Sequence, residues 1–351
     1  PQKMKHFDVS MSELAEICEG ISQNSTGRAV RQYGNEYVVR GIARTSKLED
    51  LGNSFIKSIN GKPVKIRDVA EVEIGSAVKM GYASENALLN AKDLIKVIKW
   101  NNDHGIKMYR LSSDIFPWAS EYEFRDLPDF NEIHQALLEA GAEAKSGGQR
   151  ITFHPSPYGV LASLREDVVV NAIKDLRQHA EIMDLMGLDQ SHFYPINIHV
   201  NTTKPTKEES AARFCENFQL LSDTVKKRLV VEVDDKGSQF TAVDLYEMVH
   251  KVIGIPITFD YLHNKCNPSH LDEKQALALC LSTWPEGVPA ITHYSDSRRN
   301  HEDPTSKVVA HSDWLYEKIE TYGMDFDIEC EVKMKERALL DYDQKIEKIL
   351  L

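Results

Sequence analysis

The sequence predicts an α/β protein: a (β/α)8 TIM barrel over residues 77–351, preceded by a small α/β appendage over residues 1–76. Three observations carry this prediction. Eight short apolar runs alternate with stretches of helical period, as parallel βαβ units do. Histidines and carboxylates recur at the ends of those runs, where a barrel of this kind collects its functional residues. The charge balance also changes near residue 80, with 12 Lys/Arg against 10 Asp/Glu in residues 1–80 and 30 against 44 in the remainder.

In the leading part, Ser10 and Glu13 supply a capping box for a helix over Met11–Glu19. A polar break follows, then a strand at Tyr37–Arg40 and a short helix near Lys47–Leu51. A hairpin comes next, in which Asn60-Gly61 turns Phe55–Ile59 back onto Pro63–Ile66. The barrel strands are expected at Val78–Tyr82, Ile106–Leu111, Ile151–His154, Ile196–Val200, Leu229–Val233, Ile255–Phe259, Ala290–Tyr294 and Phe326–Val332. Helical period occupies Ala91–Asn101, Phe130–Ala142, Glu166–Met186, Glu208–Leu221, Ala242–Ile253 and Glu273–Leu281. His134, His179 and His250 fall within such stretches and are expected on partly exposed faces, and Glu208-Glu209 read as a solvated first turn that complements the helix dipole.

Composition narrows the function classes. At 351 residues, with 42% hydrophobic and 27% charged residues, the chain is globular rather than collagenous or disordered. A net charge of −12 is no nucleic-acid-binding signature, so a polyanionic partner must be met by a local patch or by bound metal. The five cysteines, Cys18, Cys215, Cys266, Cys280 and Cys330, form neither a disulfide framework nor a zinc ribbon, which fits a reducing compartment. No apolar run approaches the 18 or so residues needed to span a bilayer, and Pro1–Ser10 has no signal-peptide core, so a cytoplasmic protein is expected, with neither a membrane nor an obligate protein partner.

The polar residues at strand ends are His154, His199, Glu232, Asp260, His263, His293 and Glu331, with His311 in the loop beyond the seventh strand. Imidazole and carboxylate are ligands for divalent metals, and eight of them exceed what one ion needs. A multinuclear cluster of this kind clamps phosphoryl oxygens and acidifies water, which is how a phosphodiester is hydrolysed at neutral pH.

At these residues the chain resembles the UV damage endonuclease family over about residues 81–336. The resemblance rests on Gly-Tyr-Ala-Ser-Glu-Asn (81–86), Trp-Asn-Asn-Asp-His-Gly-Ile (100–106), Tyr-Arg-Leu-Ser-Ser-Asp-Ile-Phe-Pro (109–117), Phe-His-Pro (153–155) and Ala-Arg-Phe-Cys-Glu-Asn-Phe (212–218). It continues through Glu-Val-Asp-Asp (232–235), Phe-Asp-Tyr-Leu-His (259–263), His-Tyr-Ser (293–295), Ala-His-Ser-Asp (310–313) and Glu-Val-Lys-Met-Lys-Glu (331–336). It implies a metal-dependent DNA-repair endonuclease that nicks damaged double-stranded DNA 5′ to UV photoproducts and related lesions. On the same resemblance, a hydroxide generated on a metal ion would attack the phosphodiester, and manganese is the first choice of ion, with zinc, magnesium or cobalt as alternatives.

The implied metal ligands are His154, His199, Glu232, Asp260, His263, His293, His311 and Glu331, joined by Glu121, which stands where many members have His. Among them Glu232, Asp260, His293 and Glu331 are the catalytic group. Tyr82, Asn86 and Tyr158 match positions near the lesion, and Arg298, Arg299 and Lys333 are candidates for flanking phosphates. The chain departs from the family at Ile291, where some members have a modified Lys, at Pro157, where a Gln usually precedes the probing Tyr, and in the short connection after Asn86. Other readings of the same residues are a metal-dependent sugar isomerase on the same barrel, or an inactive chimera.

Residues 1–80 resemble part of the periplasmic porter region of heavy-metal efflux pumps of the resistance-nodulation-division class. The carrying stretches are Cys-Glu-Gly-Ile-Ser-Gln-Asn-Ser-Thr-Gly (18–27), Gly-Asn-Glu-Tyr-Val-Val-Arg-Gly (34–41) and Gly-Lys-Pro-Val-Lys-Ile-Arg-Asp-Val-Ala (61–70). The junction falls near Met80-Gly81-Tyr82, as a natural fusion or a recombined reading frame would place it.

Overall fold

The computed structural model describes residues 7, 9–10, 13, 25–32, 35–41, 53–59, 61–70 and 80–350, with the backbone alone at 25–32, 35–41 and 344–350. The chain divides into two compact units, Pro1–Ala77 and Val78–Leu351.

In the first unit, β1 (Ser25–Gln32) pairs antiparallel with β2 (Asn35–Gly41), and β3 (Phe55–Ile59) with β4 (Lys62–Lys65). The second hairpin is the expected one, and Gly61 has the positive φ of 73° that its tight turn requires. Its return strand begins and ends one residue earlier than expected, because Ile66 opens a short helix, Ile66–Val69. Val9, Val64 and Val69 form the unit's small apolar cluster. Ser10 and Glu13 make the reciprocal capping contacts, with Ser10 N donating to Glu13 Oε2 at 2.8 Å and Glu13 N to Ser10 Oγ at 3.1 Å. The rest of that expected helix, and the one near Lys47–Leu51, lie outside the described residues.

The second unit is a TIM-type α/β barrel whose described strands form one parallel sheet of seven, in sequence order. They are β5 (Met108–Leu111), β6 (Arg150–Phe153), β7 (Ile196–Ile198), β8 (Leu229–Glu232), β9 (Ile257–Asp260), β10 (Ile291–Tyr294) and β11 (Asp327–Cys330). Every residue of β6 to β10 is buried, which is why parallel strands covered on both faces read as continuous apolar runs.

The expected strand Val78–Tyr82 is a correction. Met80–Tyr82 form the first turn of a 24-residue helix, Met80–Asp103, and Val78–Lys79 lie outside the described residues. Ala83, Ala87, Ala91, Leu94 and Ile98 are buried along that helix at spacings of three and four, so a helical stripe overrides the short apolar run. This helix also absorbs Asn86, leaving no connection after it. His179 is a second correction: it is buried, with Nδ1 2.8 Å from Asp175 O and Nε2 2.9 Å from Ser113 Oγ.

The N-terminal end of the barrel is sealed by Arg150, only 2% exposed. Its Nε donates to Phe193 O (2.9 Å), Nη2 to His192 O (3.1 Å), and Nη1 to Pro289 O (2.8 Å) and the Asp327 carboxylate (2.7 Å). Replacing Arg150 would leave three carbonyls without a donor, and each unmet buried polar group costs about 1–3 kcal/mol. Arg150→Met is therefore expected to destabilise the unit by about 3 kcal/mol, read as a lower urea midpoint at unchanged m-value. An unchanged midpoint would contradict the assignment.

Candidate metal centre

At the opposite end of the barrel, the carboxylate of Glu232, the last residue of β8, is fully buried. Four imidazoles surround it. His154 Nε2, His293 Nδ1 and His199 Nε2 lie 3.0, 3.2 and 3.6 Å from Oε2, and His263 Nδ1 lies 3.1 Å from Oε1. The Asn197 side-chain amide on β7 also donates to Oε2.

Local structure accounts for each ligand-type residue. His154 follows β6 and His199 follows β7, while His293 on β10 pairs in register with Asp260 at the end of β9. Asp260 caps the next helix, Tyr261–Cys266, by accepting from His263 N at 2.7 Å, and this turn brings His263 to the centre. His311 is held by a bridge to Ser297, and Glu331 follows β11.

The orientation of the rings is informative. Nδ1 of His154, His263 and His311 faces a backbone carbonyl, of Pro155 (3.3 Å), Val233 (3.0 Å) and Glu331 (2.9 Å) respectively, and Nδ1 of His199 lies 3.1 Å from Asp234 Oδ1. A ring that donates Nδ1–H to an oxygen presents its Nε2 lone pair, the arrangement typical of metal-binding histidine. Buried polar atoms left without a hydrogen bond cluster here too, among them Asp260 Oδ2 and Asn197 Oδ1. Two sets of ligand atoms, His154/His199/Glu232 and Glu232/Asp260/His293, each lie within 4.8 Å of one another and can hold a metal ion. The donor set therefore fits divalent metal.

Electrostatics separates the two central acids. Burial works against the Glu232 anion, but the His293 and His199 rings outweigh it and hold the carboxyl well below the usual range. Burial pushes Asp260 up, against His263 and with the help of the Glu232 and Glu331 charges. Glu331 is held near 2 because His293 and Arg110 overcome its burial. His263, despite burial, is raised to about 11 by Asp260 and Glu232.

Other sequence candidates are placed differently. Glu121 is not brought to the centre: it ends an exposed turn, Ala119–Glu121, with Oε1 accepting from Ser120 Oγ at 3.2 Å. That turn follows Trp118, whose φ of 54° redirects the chain. Asn86 turns its amide back onto Tyr82 O at 2.8 Å. Arg298 is engaged by Asp313 (3.3 Å) and Glu302 (3.7 Å), while Arg299 and Lys333 are exposed. Ile291 is buried in an apolar cluster with Val230, Trp284 and Ala290. A third metal-type group is Asp296/His301/Glu317, which shares no residue with the two around Glu232. Asp296 there already accepts from Tyr294 Oη, Tyr316 N and Glu317 N, which suits a loop brace.

Tyr82 and Tyr158 are both exposed, Tyr158 at 87%. Sequence reasoning missed Trp118, exposed and 5.8 Å from Tyr82 between ring centroids. A bulky residue in the left-handed region is an outlier of the kind that marks functional loops. It also missed Asp234 and Arg110. The signal for Arg110 was a lone guanidinium inside the strand Met-Tyr-Arg-Leu.

Together these features define an α/β barrel with an imidazole–carboxylate centre at its C-terminal rim that could bind metal, flanked by exposed aromatic residues. The chain belongs to the UV-endonuclease UvdE family, whose profile matches residues 60–350. Residues 1–106 match the AcrB/AcrD/AcrF family profile, in line with the porter-like leading stretch. The UV-damage endonuclease of Schizosaccharomyces pombe is 35% identical over 74% of this chain, which spans 43% of that protein's length. The UV DNA damage endonuclease of Bacillus velezensis is 30% identical over 72% of this chain and 78% of its own length. The crystal structure of SacUVDE superposes with a TM-score of 0.69 at 30% identity, covering 80% of this chain and 93% of that one. Among the described residues no helix is long and apolar enough to cross a membrane.

Because a metal ligand must shed its proton, ion binding at this centre is tied to pH. The folded-state value of His263 is raised, so its contribution to stability is full below the unfolded value near 6.5 and is lost as pH rises through about 11. A divalent ion that took His263 as a ligand at pH 7.5 would therefore have to displace a proton. Titrating Mn²⁺ into weakly buffered protein is expected to release at least one proton per chain, with affinity rising with pH. Proton-neutral binding would contradict this.

Proposed function

We propose that the chain is a divalent-metal-dependent endonuclease that nicks damaged double-stranded DNA 5′ to UV photoproducts and related lesions, with manganese as the working ion. The observation that carries the reading is the convergence of four histidines and Asp260 on the buried Glu232, at the rim of a barrel whose chain belongs to the UvdE family. His154, His199, Glu232, Asp260, His263, His293, His311 and Glu331 are the side chains that would hold ions there. Bound divalent ions supply Lewis acidity toward phosphoryl oxygens and acidify water.

The protein's own part is positioning. The carbonyls of Pro155, Val233 and Glu331 aim the rings of His154, His263 and His311, and Asp234 aims His199. Exposed Tyr158, Tyr82 and Trp118 offer stacking faces to bases, and unstacking costs least at a damaged step, so such residues favour lesions. Arg299 and Lys333 are exposed and available to flanking phosphates, while Arg298 would first have to leave its acidic partners. We place this activity in the cytoplasm, with its DNA substrate.

UV-irradiated supercoiled plasmid incubated with the protein and Mn²⁺ is expected to yield nicked circles, more than unirradiated plasmid and none with chelator. His154→Ala is expected to lower nicking by about 100-fold or more through loss of an ion ligand. Wild-type nicking by that variant would sink the ligand assignment, and aldose–ketose interconversion without nicking would replace the reading with an isomerase.

The whole candidate centre lies in the unit Val78–Leu351. Deleting residues 1–75 is therefore expected to leave metal content and nicking nearly unchanged. If the truncated chain kept its circular dichroism spectrum and its metal but lost nicking, the leading unit would have to belong to the DNA-binding surface.

A further inference from the structure

One short stretch of the helix Glu166–Leu185 grips the loop that carries Trp118. Gln178, buried on that helix, donates its amide to Ala119 O at 2.6 Å, and Lys174 Nζ donates to Ser120 O at 2.6 Å. Arg177 Nη2 lies 2.8 Å from both carboxylate oxygens of Glu123. Inside the loop, Tyr122 Oη donates to Pro117 O at 2.6 Å, and the buried rings of Phe116 and Phe124 stack with centroids 4.0 Å apart. The loop is thus fixed on both sides of a ring that is itself 52% exposed.

We infer that this clamp makes Trp118 a fixed wedge against the DNA duplex, and that its rigidity, set by Gln178 and Lys174, is what separates lesions from intact DNA. The inference rests on the endonuclease reading above. It gives that site a specificity-determining residue, Trp118, and a positioning residue, Gln178, which acts through it.

Neither backbone preference nor burial accounts for Trp118 where it stands. A side chain of this size is disfavoured at φ 54° and ψ 36°, and half of the ring faces solvent. Such a conformation persists only where the surroundings over-determine it, and the hydrogen bonds from Gln178 and Lys174 do so. Both run to backbone carbonyls, so they fix the path of the loop whatever side chain occupies position 118.

Topology puts the ring on the working face. Its loop follows β5, and the helix Met80–Asp103, which leads into β5 and runs back along it, brings Tyr82 in its first turn to the same rim. The two rings lie 5.8 Å apart at 39°, an angled apolar face of the kind on which a base stacks. Tyr158 stands in the loop after β6, the strand that pairs with β5.

A wedge discriminates only if it cannot fold away. Unstacking costs least at a damaged step. A ring on a loose loop would swing aside on intact duplex and let it approach, so both kinds of DNA would be accepted. A clamped ring imposes the unstacking cost on every duplex, which holds intact DNA off and admits the lesion.

The test compares nicking of irradiated and unirradiated plasmid by the full chain with Mn²⁺. Trp118→Gly removes the ring and puts a residue suited to the left-handed region in its place. It is expected to keep the urea midpoint and Mn²⁺ content while lowering the preference for irradiated DNA by about 10-fold, the worth of one stacked base. A sharply lower midpoint would make Trp118 structural, and an unchanged preference would remove its role; either overturns the proposal. Trp118→Phe keeps a ring and is expected to keep most of the preference, and a loss as large as that of the glycine variant would count against the wedge.

Gln178→Met, and Lys174→Ala as a less buried second variant, leave the ring in place but free the loop. Each is expected to lower KM for unirradiated plasmid at unchanged Mn²⁺ content, the change falling in KM rather than kcat. An unchanged KM in both would overturn the clamp. Wild type that prefers irradiated DNA while all four variants do so equally would leave the endonuclease reading standing and overturn this inference alone. Wild type that nicks neither plasmid, or both equally, would overturn that reading and the inference with it.

Discussion

Everything at the C-terminal rim is organised by one buried anion. Glu232 has no solvent exposure, and a carboxylate in that position is tolerable only if positive charge or strong donors surround it. Imidazoles from the segments after β6 and β7, from β10 and from the helix after β9, together with the Asn197 amide, meet that demand. The strands that deliver these groups must end at nearly the same height, and the register in which His293 pairs with both Asp260 and Glu329 satisfies this. The carboxylate still has an oxygen without a hydrogen bond. A divalent ion would satisfy that oxygen and accept the imidazole lone pairs at once, which protonated histidines alone would not do.

The two ends of the barrel solve the problem of buried charge differently. At the N-terminal end Arg150 is held by three carbonyls and one carboxylate, so its role is structural. At the C-terminal end Arg110 is packed against Glu329 and Glu331 and offsets part of the charge of the acidic cluster. The same residue type thus closes one end and balances buried acids at the other.

Much of this was legible in the amino-acid order, for physical reasons. Strands covered on both faces leave apolar runs such as Leu229–Glu232 and Ile291–Tyr294, and a polar residue at the end of such a run has few reasons to be there. His154, His199, Glu232, Asp260, His263 and His293 could therefore be picked out, and the structure brings them together. Val78–Tyr82 misled because an apolar run of that length carries no sign of whether helix follows at once; the Ala83/Ala87/Ala91 stripe decides it. Glu121 misled because the turn after Trp118, not residue type, sets where a loop carboxylate points. Arg110 was passed over because a charge inside a strand announces nothing until its partners, more than two hundred residues away at Glu329 and Glu331, are known.

The central claim is that Glu232 is the hub of a divalent metal centre. Anomalous difference maps from crystals of the manganese-loaded protein, recorded on either side of the manganese edge, test it most directly. The account predicts manganese peaks flanking the Glu232 carboxylate within bonding distance of the His154, His199 and His263 Nε2 atoms. Maps with no manganese beside Glu232, or with manganese only at Asp296, His301 and Glu317, would contradict it.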